Sequence, residues 1–134
     1  MVKNKHNKLV GSDIERSDER IDLTGEVFTP MELCNIMVDE IPLNILKNPN
    51  SKFLDNSAGS GNFLIVLRDR LKEYHSEEHI VNNMLYAVEL MKDNHKEMCN
   101  RLGVSVDHKH YVCANALEYD YSFGEPVGLE KFMI

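Results

Sequence analysis

The stretch from Lys52 to Leu67, KFLDNSAGSGNFLIVL, constrains the fold of this chain more than any other segment. A short apolar run ends at Asp55, which predicts a buried strand. Gly59 and Gly61 permit tight turns and a close approach of the backbone to a ligand. Four apolar residues then share one face of a predicted helix: Phe63, Leu64, Leu67 and Leu71. The stretch therefore predicts a strand, a glycine-rich loop and a helix, in that order.

The same alternation continues downstream. Residues Met84 to Leu90 (MLYAVEL) predict a second buried strand that ends at Glu89, and the next segment predicts a helix that stops at Gly103. Residues Tyr111 to Ala114 predict a third strand, which Asn115 follows. Strands that alternate with helices are typical of a parallel sheet with right-handed crossovers. The predicted fold class is α/β, a partial Rossmann-like parallel sheet with flanking helices that stops after about the third strand.

A further helix is predicted ahead of the first strand, in FTPMELCNIMVDEI. Thr29 can serve as N-cap, Pro30 suits the first helical position, and Glu32 completes a capping box. Apolar residues recur at helical spacing in this segment: Leu33, Ile36, Met37 and Ile41. We expect a polar N-terminal arm over residues 1–22 and one domain over residues 23–134.

Composition excludes several classes of protein. The chain has 134 residues, 43% of them apolar and 28% charged, which suits one globular domain without a membrane span. Its three cysteines are odd in number and form no CxxC pair, which favours a reducing cytoplasm over a disulfide framework and predicts no metal site. The formal net charge is −7, so contact with DNA would need a local basic patch.

Three polar residues follow successive predicted strands, namely Asp55, Glu89 and Asn115. Ligands of open α/β sheets bind at this edge. The loop lacks the Gly-Lys-Ser/Thr of a P-loop, and Leu64 stands where a dinucleotide fingerprint has a third glycine or an alanine. A ligand with an amino acid end, a ribose and an adenine would use all three positions. S-adenosylmethionine has these parts in this order.

Four segments together resemble a known family: TGEVFTP (Thr24 to Pro30), FLDNSAGSGNFL, YAVEL and CANALEYD. In this order and spacing, the chain looks like the N-terminal, cofactor-binding half of an adenine-specific DNA N6-methyltransferase. The class is the one whose cofactor motifs come first, as in restriction-modification systems. The resemblance implies S-adenosyl-L-methionine as cofactor and DNA as a partner of the complete enzyme.

The resemblance also implies roles for individual residues. The residues expected to enclose the methionine and ribose parts are Phe28, Thr29, Pro30, Asp55, Ala58, Gly59 and Gly61. The residues expected to meet the ribose hydroxyls and the adenine are Glu89, Leu90, Asn115 and Ala116. Capping alone is an alternative role for Thr29. Two positions depart from the family pattern, because Asn56 replaces a usual proline and Asn115 replaces a usual aspartate, and we expect weaker cofactor binding as a result.

The catalytic tetrapeptide of that family, Asp/Asn-Pro-Pro-Tyr/Phe, occurs nowhere in the sequence, so no catalytic residue is assigned. We expect the chain alone to be inactive, and the first strand to have an open edge. A second copy or a complementary polypeptide would cover that edge, unless residues 130–134 begin a fourth strand there. Two functions stay open: the cofactor-binding portion of a methyltransferase, or a non-catalytic module that binds the cofactor or a methyltransferase partner.

Overall fold

The structure is a computed structural model that describes residues 28–125 of the chain. The expected N-terminal arm, the first residues of TGEVFTP and residues 130–134 lie outside this range. Along the described residues the elements are α1 (Met31–Asp39), α2 (Leu43–Lys47), β1 (Phe53–Asp55), α3 (Asn62–Leu71), α4 (Glu77–His79), a π-helical turn (Ile80–Met84), β2 (Leu85–Glu89), α5 (Lys92–Leu102) and β3 (Tyr111–Cys113).

The three strands form a parallel sheet in the order β1-β2-β3. Asp55 of β1 pairs with Ala87 of β2, and Glu89 of β2 pairs with Cys113 of β3. The carboxyl ends of all three strands therefore meet at one edge of the sheet. This arrangement confirms the predicted α/β class and the Rossmann-like parallel sheet with flanking helices. Within residues 28–125, no helix is long and apolar enough to cross a membrane.

The core lies between one face of the sheet and the helices. Helix α3 packs against both α1 and α5. It buries three of the four residues predicted for its apolar face, Leu64, Leu67 and Leu71, whereas Phe63 is only partly buried. Alternate strand residues complete this core: Leu85, Ala87 and Tyr111. Helix α5 ends where predicted, because Gly103 adopts a left-handed φ of 74°. The core thus holds the strand ends and the loop after β1 on a rigid base.

Helix α1 begins one residue later than the capping pattern predicts. Pro30 occupies the N-cap position with an extended ψ of 147°, and no side chain caps the helix. The expected capping box of Thr29 and Glu32 is therefore wrong. The carbonyl oxygen of Thr29 instead accepts a hydrogen bond of 2.8 Å from Nδ2 of Asn62, so tertiary contact outweighs the local capping preference.

The buried face of α1 consists of Cys34 and Val38. Three residues of the predicted apolar pattern are exposed instead: Leu33, Ile36 and Met37. Ile41, just after the helix, packs against the core. The apolar spacing predicted the position of the helix correctly but not its buried face. Helix α1 buries its smaller apolar side chains, Cys34 and Val38, where it packs against α3.

An aromatic segment, residues 119–123, lies against the face of the sheet that points away from the helices. Phe123 is buried and meets the Tyr86 ring edge-on at 5.0 Å, while Tyr86 stacks on His110 at 4.0 Å. Tyr121 and Phe123 both adopt left-handed φ values, 56° and 47°. Non-glycine residues rarely adopt this conformation, so ring packing here opposes backbone strain.

The Tyr111→Phe variant tests the join between the sheet and the π-helical turn. Tyr111 is 1% exposed, and its hydroxyl donates a 2.6 Å hydrogen bond to the Val81 carbonyl. We expect the loss of this donor to lower the free energy of unfolding by about 1–2 kcal/mol, because a buried carbonyl loses its partner. Urea titration measures the change, with Tyr74→Phe at a site that is 38% exposed as control. Equal losses in the two variants would contradict this assignment.

Candidate functional site

The glycine loop between β1 and α3 depends on two left-handed residues, Gly59 with φ 57° and Gly61 with φ 93°. A Cβ atom at Gly59 would lie 3.2 Å from the ring of Phe28. A Cβ atom at Gly61 would lie 3.0 Å from Cγ of Met98 on α5. The left-handed conformation favours glycine at both positions, and a side chain at either would force a neighbouring side chain to shift.

The carboxylate of Glu89 joins this loop to the end of β2. Glu89 is 7% exposed. Its Oε1 accepts a 2.8 Å hydrogen bond from the Gly59 amide, and its Oε2 accepts one of 2.8 Å from the Met91 amide. Nδ2 of Asn94 donates a longer bond of 3.4 Å to Oε2. These donors stabilise a buried negative charge beside the glycine loop.

Asp55 adds a second carboxyl group at the end of β1. Burial raises its pKa; the hydrogen bond of 3.1 Å from the Ser57 amide acts in the opposite direction, and the charge of Glu89 raises the pKa further. The two acids therefore repel each other in a poorly solvated place. Such a pair favours a ligand that carries positive charge.

A narrow cleft with a cavity volume of about 30 Å³ lies beside Asp55 and the glycine loop. Its lining comprises Phe28, Thr29, Asp55, Ser57, Ala58, Gly59, Asn62 and Phe63. Five residues singled out from the sequence thus come together: Phe28, Thr29, Asp55, Ala58 and Gly59. Gly61 belongs to the same loop, and Pro30 follows Thr29 as an exposed residue. Their roles toward a cofactor stay a prediction.

The remaining predicted residues lie farther along the same edge of the sheet. Leu90 follows Glu89 and is 55% exposed. The Ala114 amide donates a 3.0 Å hydrogen bond to the Glu89 carbonyl, which holds the ends of β2 and β3 together. Asn115 is exposed, and its Oδ1 accepts a 2.9 Å bond from the Leu117 amide. Ala116 is half-buried beside it.

Sequence reasoning missed four residues of the site. Ser57, Asn62 and Phe63 line the cleft, and Arg101 on α5 donates hydrogen bonds to the glycine loop. The position of Asn62 at the start of α3 could have marked it, since polar residues often stabilise loop-to-helix junctions. Arg101 carried no such signal, because its loop partner Ser60 is 41 residues away in the sequence.

A larger depression lies on the other face of the sheet, with a cavity volume of about 380 Å³. Its lining includes Lys52, Leu54, Tyr86, His110 and Phe123. None of the predicted site residues lies in it. Because Asp55 and the glycine loop line the smaller cleft, and Glu89 is hydrogen-bonded to that loop, we place the candidate site there.

A family model described as N-6 DNA Methylase matches residues 16–122, which is most of the chain. The chain belongs to the N-6 DNA methylase family. A protein of Mycoplasma pneumoniae (strain ATCC 29342 / M129 / Subtype 1) named as an uncharacterized adenine-specific methylase is 32% identical over 106 residues, in an alignment that covers 67% of this chain. The chain spans about a quarter of that relative's length, since the alignment covers 25% of it.

Membership of the N-6 DNA methylase family agrees with the resemblance carried by the four sequence motifs. Methyl transfer by such a family implies a methyl donor of the S-adenosylmethionine type. The charge of this region is compatible with such a donor, because Asp55 lines the cleft and the nearby Glu89 carboxylate interacts with it electrostatically.

The Gly61→Ala variant tests the crowding in the loop, with Gly103→Ala as a matched control. Both glycines have left-handed φ values, 93° and 74°, but a Cβ atom at Gly103 would meet nothing within 4 Å. We expect Gly103→Ala to lose about 1 kcal/mol of folding free energy from conformation alone. Gly61→Ala should lose a further ~1–3 kcal/mol from contact with Met98. Chemical denaturation measures both, and equal losses would show that α5 does not crowd the loop.

The Asp55→Asn variant tests the electrostatics of the cleft through the pH dependence of stability. Since burial raises the folded-state pKa of Asp55, the folded protein prefers its protonated form. No penalty exists below the ordinary aspartate pKa, where folded and unfolded states are both protonated. The penalty grows as the pH rises from that value through the raised pKa.

Wild type should therefore lose stability relative to Asp55→Asn across this range of pH. The asparagine keeps an acceptor for the Ser57 amide, so the local turn is preserved. Urea titrations of both proteins at a series of pH values measure the difference. A difference that does not change with pH would contradict the raised pKa.

Proposed function

We propose that this chain is the S-adenosylmethionine-binding portion of a site-specific DNA adenine-N6 methyltransferase. The observation that carries the proposal is the buried Glu89 carboxylate at the end of the central strand, hydrogen-bonded to the amide of Gly59. It supports the proposal because an acid at this point of a parallel sheet, fixed beside a glycine loop, can accept hydrogen bonds from a ribose.

The methionine end of the cofactor would occupy the cleft between Phe28, Asp55 and the glycine loop. A sulfonium and an ammonium group both carry positive charge, and Asp55 and Glu89 supply negative charge in a poorly solvated place. Binding would relieve the repulsion between the two acids. The backbone of the loop can approach this part of the ligand because Gly59 has no side chain.

The nucleoside part would extend along the edge of the sheet toward β3. A carboxylate has about four acceptor sites, so Glu89 can receive a ribose hydroxyl in addition to its three donors. Leu90 offers an apolar side chain, 55% exposed, for contact with the adenine ring. Asn115 is exposed at the end of β3 and can accept a hydrogen bond from the adenine amino group.

The acceptor base needs groups outside this set. The 134 residues contain no Asn-Pro-Pro-Tyr or related tetrapeptide. We propose that a stretch beyond these residues, or a second polypeptide, holds the flipped target adenine and contacts DNA. It would pair with β1, which is an edge strand among the described residues. A second copy of the chain is the other partner proposed for this edge.

The Asn115→Asp variant tests the adenine contact. A carboxylate accepts a hydrogen bond more strongly than an amide, so we expect S-adenosylmethionine to bind about five- to tenfold more tightly. Calorimetric titration measures the dissociation constants. The control Asn50→Asp makes the same change of charge in the exposed turn before β1, at the opposite end of that strand. Unchanged affinity in Asn115→Asp would remove the adenine from the end of β3.

Transfer of a tritiated methyl group tests whether this chain binds the cofactor but needs another polypeptide for catalysis. We expect the 134-residue chain to bind S-adenosylmethionine but to transfer no label to adenine-rich single-stranded DNA, because positioning of the acceptor supplies much of the rate. A polypeptide that carries an Asn-Pro-Pro-Tyr loop and the next strand should restore transfer to adenine N6.

Three outcomes of this experiment distinguish the portion of an enzyme from a non-catalytic module. Binding with restored transfer supports the enzyme portion. Binding without transfer in any combination supports a non-catalytic cofactor-binding module. Transfer by the chain alone would overturn the proposal, since an acceptor site would then lie within these residues.

A further inference from the structure

Two buried residues, Ser60 in the glycine loop and Asn62 at the start of α3, accept hydrogen bonds from a side chain of α5. Ser60 is 1% exposed and Asn62 is 4% exposed. A buried carbonyl or amide oxygen without a donor costs about 1–3 kcal/mol. One guanidinium group serves both residues: Nη1 of Arg101 lies 2.8 Å from the Ser60 carbonyl, 3.2 Å from Ser60 Oγ and 2.8 Å from Asn62 Oδ1. Arg101 therefore connects the end of α5 to the loop.

Arg101 contacts the loop at Ser60, which is flanked by two glycines. Ser60 lies between Gly59 and Gly61, which both adopt left-handed φ values. Because glycine has no Cβ atom, the backbone on both sides of Ser60 can adopt many other conformations unless it is held. Glu89 holds the loop on one side through the Gly59 amide, and Arg101 holds it on the other through the Ser60 carbonyl. The loop backbone that faces the cleft is thus held between the Glu89 carboxylate and the Arg101 guanidinium group.

Asn62 extends this connection to the opposite wall of the cleft. Its Oδ1 accepts from Arg101, and its Nδ2 donates a 2.8 Å hydrogen bond to the carbonyl of Thr29. Thr29 and Phe28 line the cleft across from the loop. The Asn62 side chain therefore bridges Arg101 and the segment before α1.

The main chain at Arg101 is held by a side chain of α3. Nη1 of Arg68 donates a 3.0 Å hydrogen bond to the carbonyl of Arg101, which ties the end of α5 to α3. A continuous series of hydrogen bonds therefore links α3 to the end of α5, Arg101 to Ser60 and Asn62, and Asn62 to Thr29. Arg101 does not line the cleft, so its effect on a ligand is exerted through other residues.

We propose that Arg101 is a positioning residue that sets the shape of the cofactor cleft through Ser60 and Asn62. The proposal rests on the proposed function, because it assigns Arg101 to the binding of S-adenosylmethionine. A preorganised loop spares the ligand the cost of ordering it, so loosening the loop should lower affinity even where the ligand's own contacts are intact.

The test compares three variants of the 134-residue chain. Arg101→Met removes the donor and keeps an apolar side chain of similar length. Arg101→Lys keeps one charged donor without the planar group. Arg70→Met is the matched control, because Arg70 forms an ion pair with Asp39 at the surface, 2.6 Å apart, and does not contact the loop.

Two readouts are recorded for each variant. Calorimetric titration with S-adenosylmethionine gives the dissociation constant, and nitrogen-15 NMR of the ligand-free protein gives the amide resonances of Gly59 and Gly61. We expect Arg101→Met to bind about tenfold more weakly and to shift both resonances. Arg101→Lys should recover part of the affinity, and Arg70→Met should match wild type in both readouts.

Unchanged affinity and resonances in Arg101→Met would overturn the proposal. Equal losses in the Met and Lys variants, with a matching fall in melting temperature, would also overturn it, since they indicate a general loss of stability. If wild type itself binds no S-adenosylmethionine, the proposed function fails. The Gly59 and Gly61 resonances still decide in that case whether Arg101 fixes the loop.

Asn62→Asp provides a second variant in case Arg101→Met does not fold. Aspartate keeps the acceptor for Arg101 but cannot donate to the Thr29 carbonyl. We expect the Gly59 resonance to stay near its wild-type position while affinity falls about fivefold, because the opposite wall is released. Wild-type affinity in this variant would overturn the part of the proposal that concerns Asn62.

Discussion

The hydrogen bond from the Gly59 amide to the Glu89 carboxylate is the contact on which the rest of the site depends. A carboxylate that is 7% exposed must have donors, and the glycine loop presents one only because Gly59 adopts a left-handed φ of 57°. The acid and the loop therefore require each other. Met91 supplies a second backbone donor to the same carboxylate, so the start of α5 is fixed by the same charge.

The negative charge near the cleft favours a cationic ligand and disfavours a nucleic acid. Asp55 and Glu89 give the site a negative potential, in a chain whose formal net charge is −7. A cation gains from this potential, whereas the phosphates of a nucleic acid are repelled. The negative charge is compatible with the proposed cationic methyl donor, and the proposed contact with DNA would require other residues.

The sequence predicted the strands and the helices α3 and α5 well, because apolar spacing and glycine stops are strong local signals. It also predicted that Asp55, Glu89 and Asn115 would share an edge, since this follows from parallel strands alone. It failed at the start of α1, where Pro30 rather than Thr29 takes the N-cap position. It could not predict Arg101, because two side chains 39 residues apart meet only after the sheet and α5 have formed.

The aromatic segment over the far face of the sheet has a consequence for local opening of the fold. Tyr121 and Phe123 hold left-handed backbone conformations that cost about 1–2 kcal/mol each. The contact of the Phe123 ring with Tyr86, and that of the Tyr121 ring with Phe123, offset this cost. Because backbone strain cancels much of the energy of ring packing, little free energy is needed for this segment to detach from the sheet. Its amides should exchange with solvent deuterium well before those of β2, so the sheet can uncover the Tyr86 ring without global unfolding.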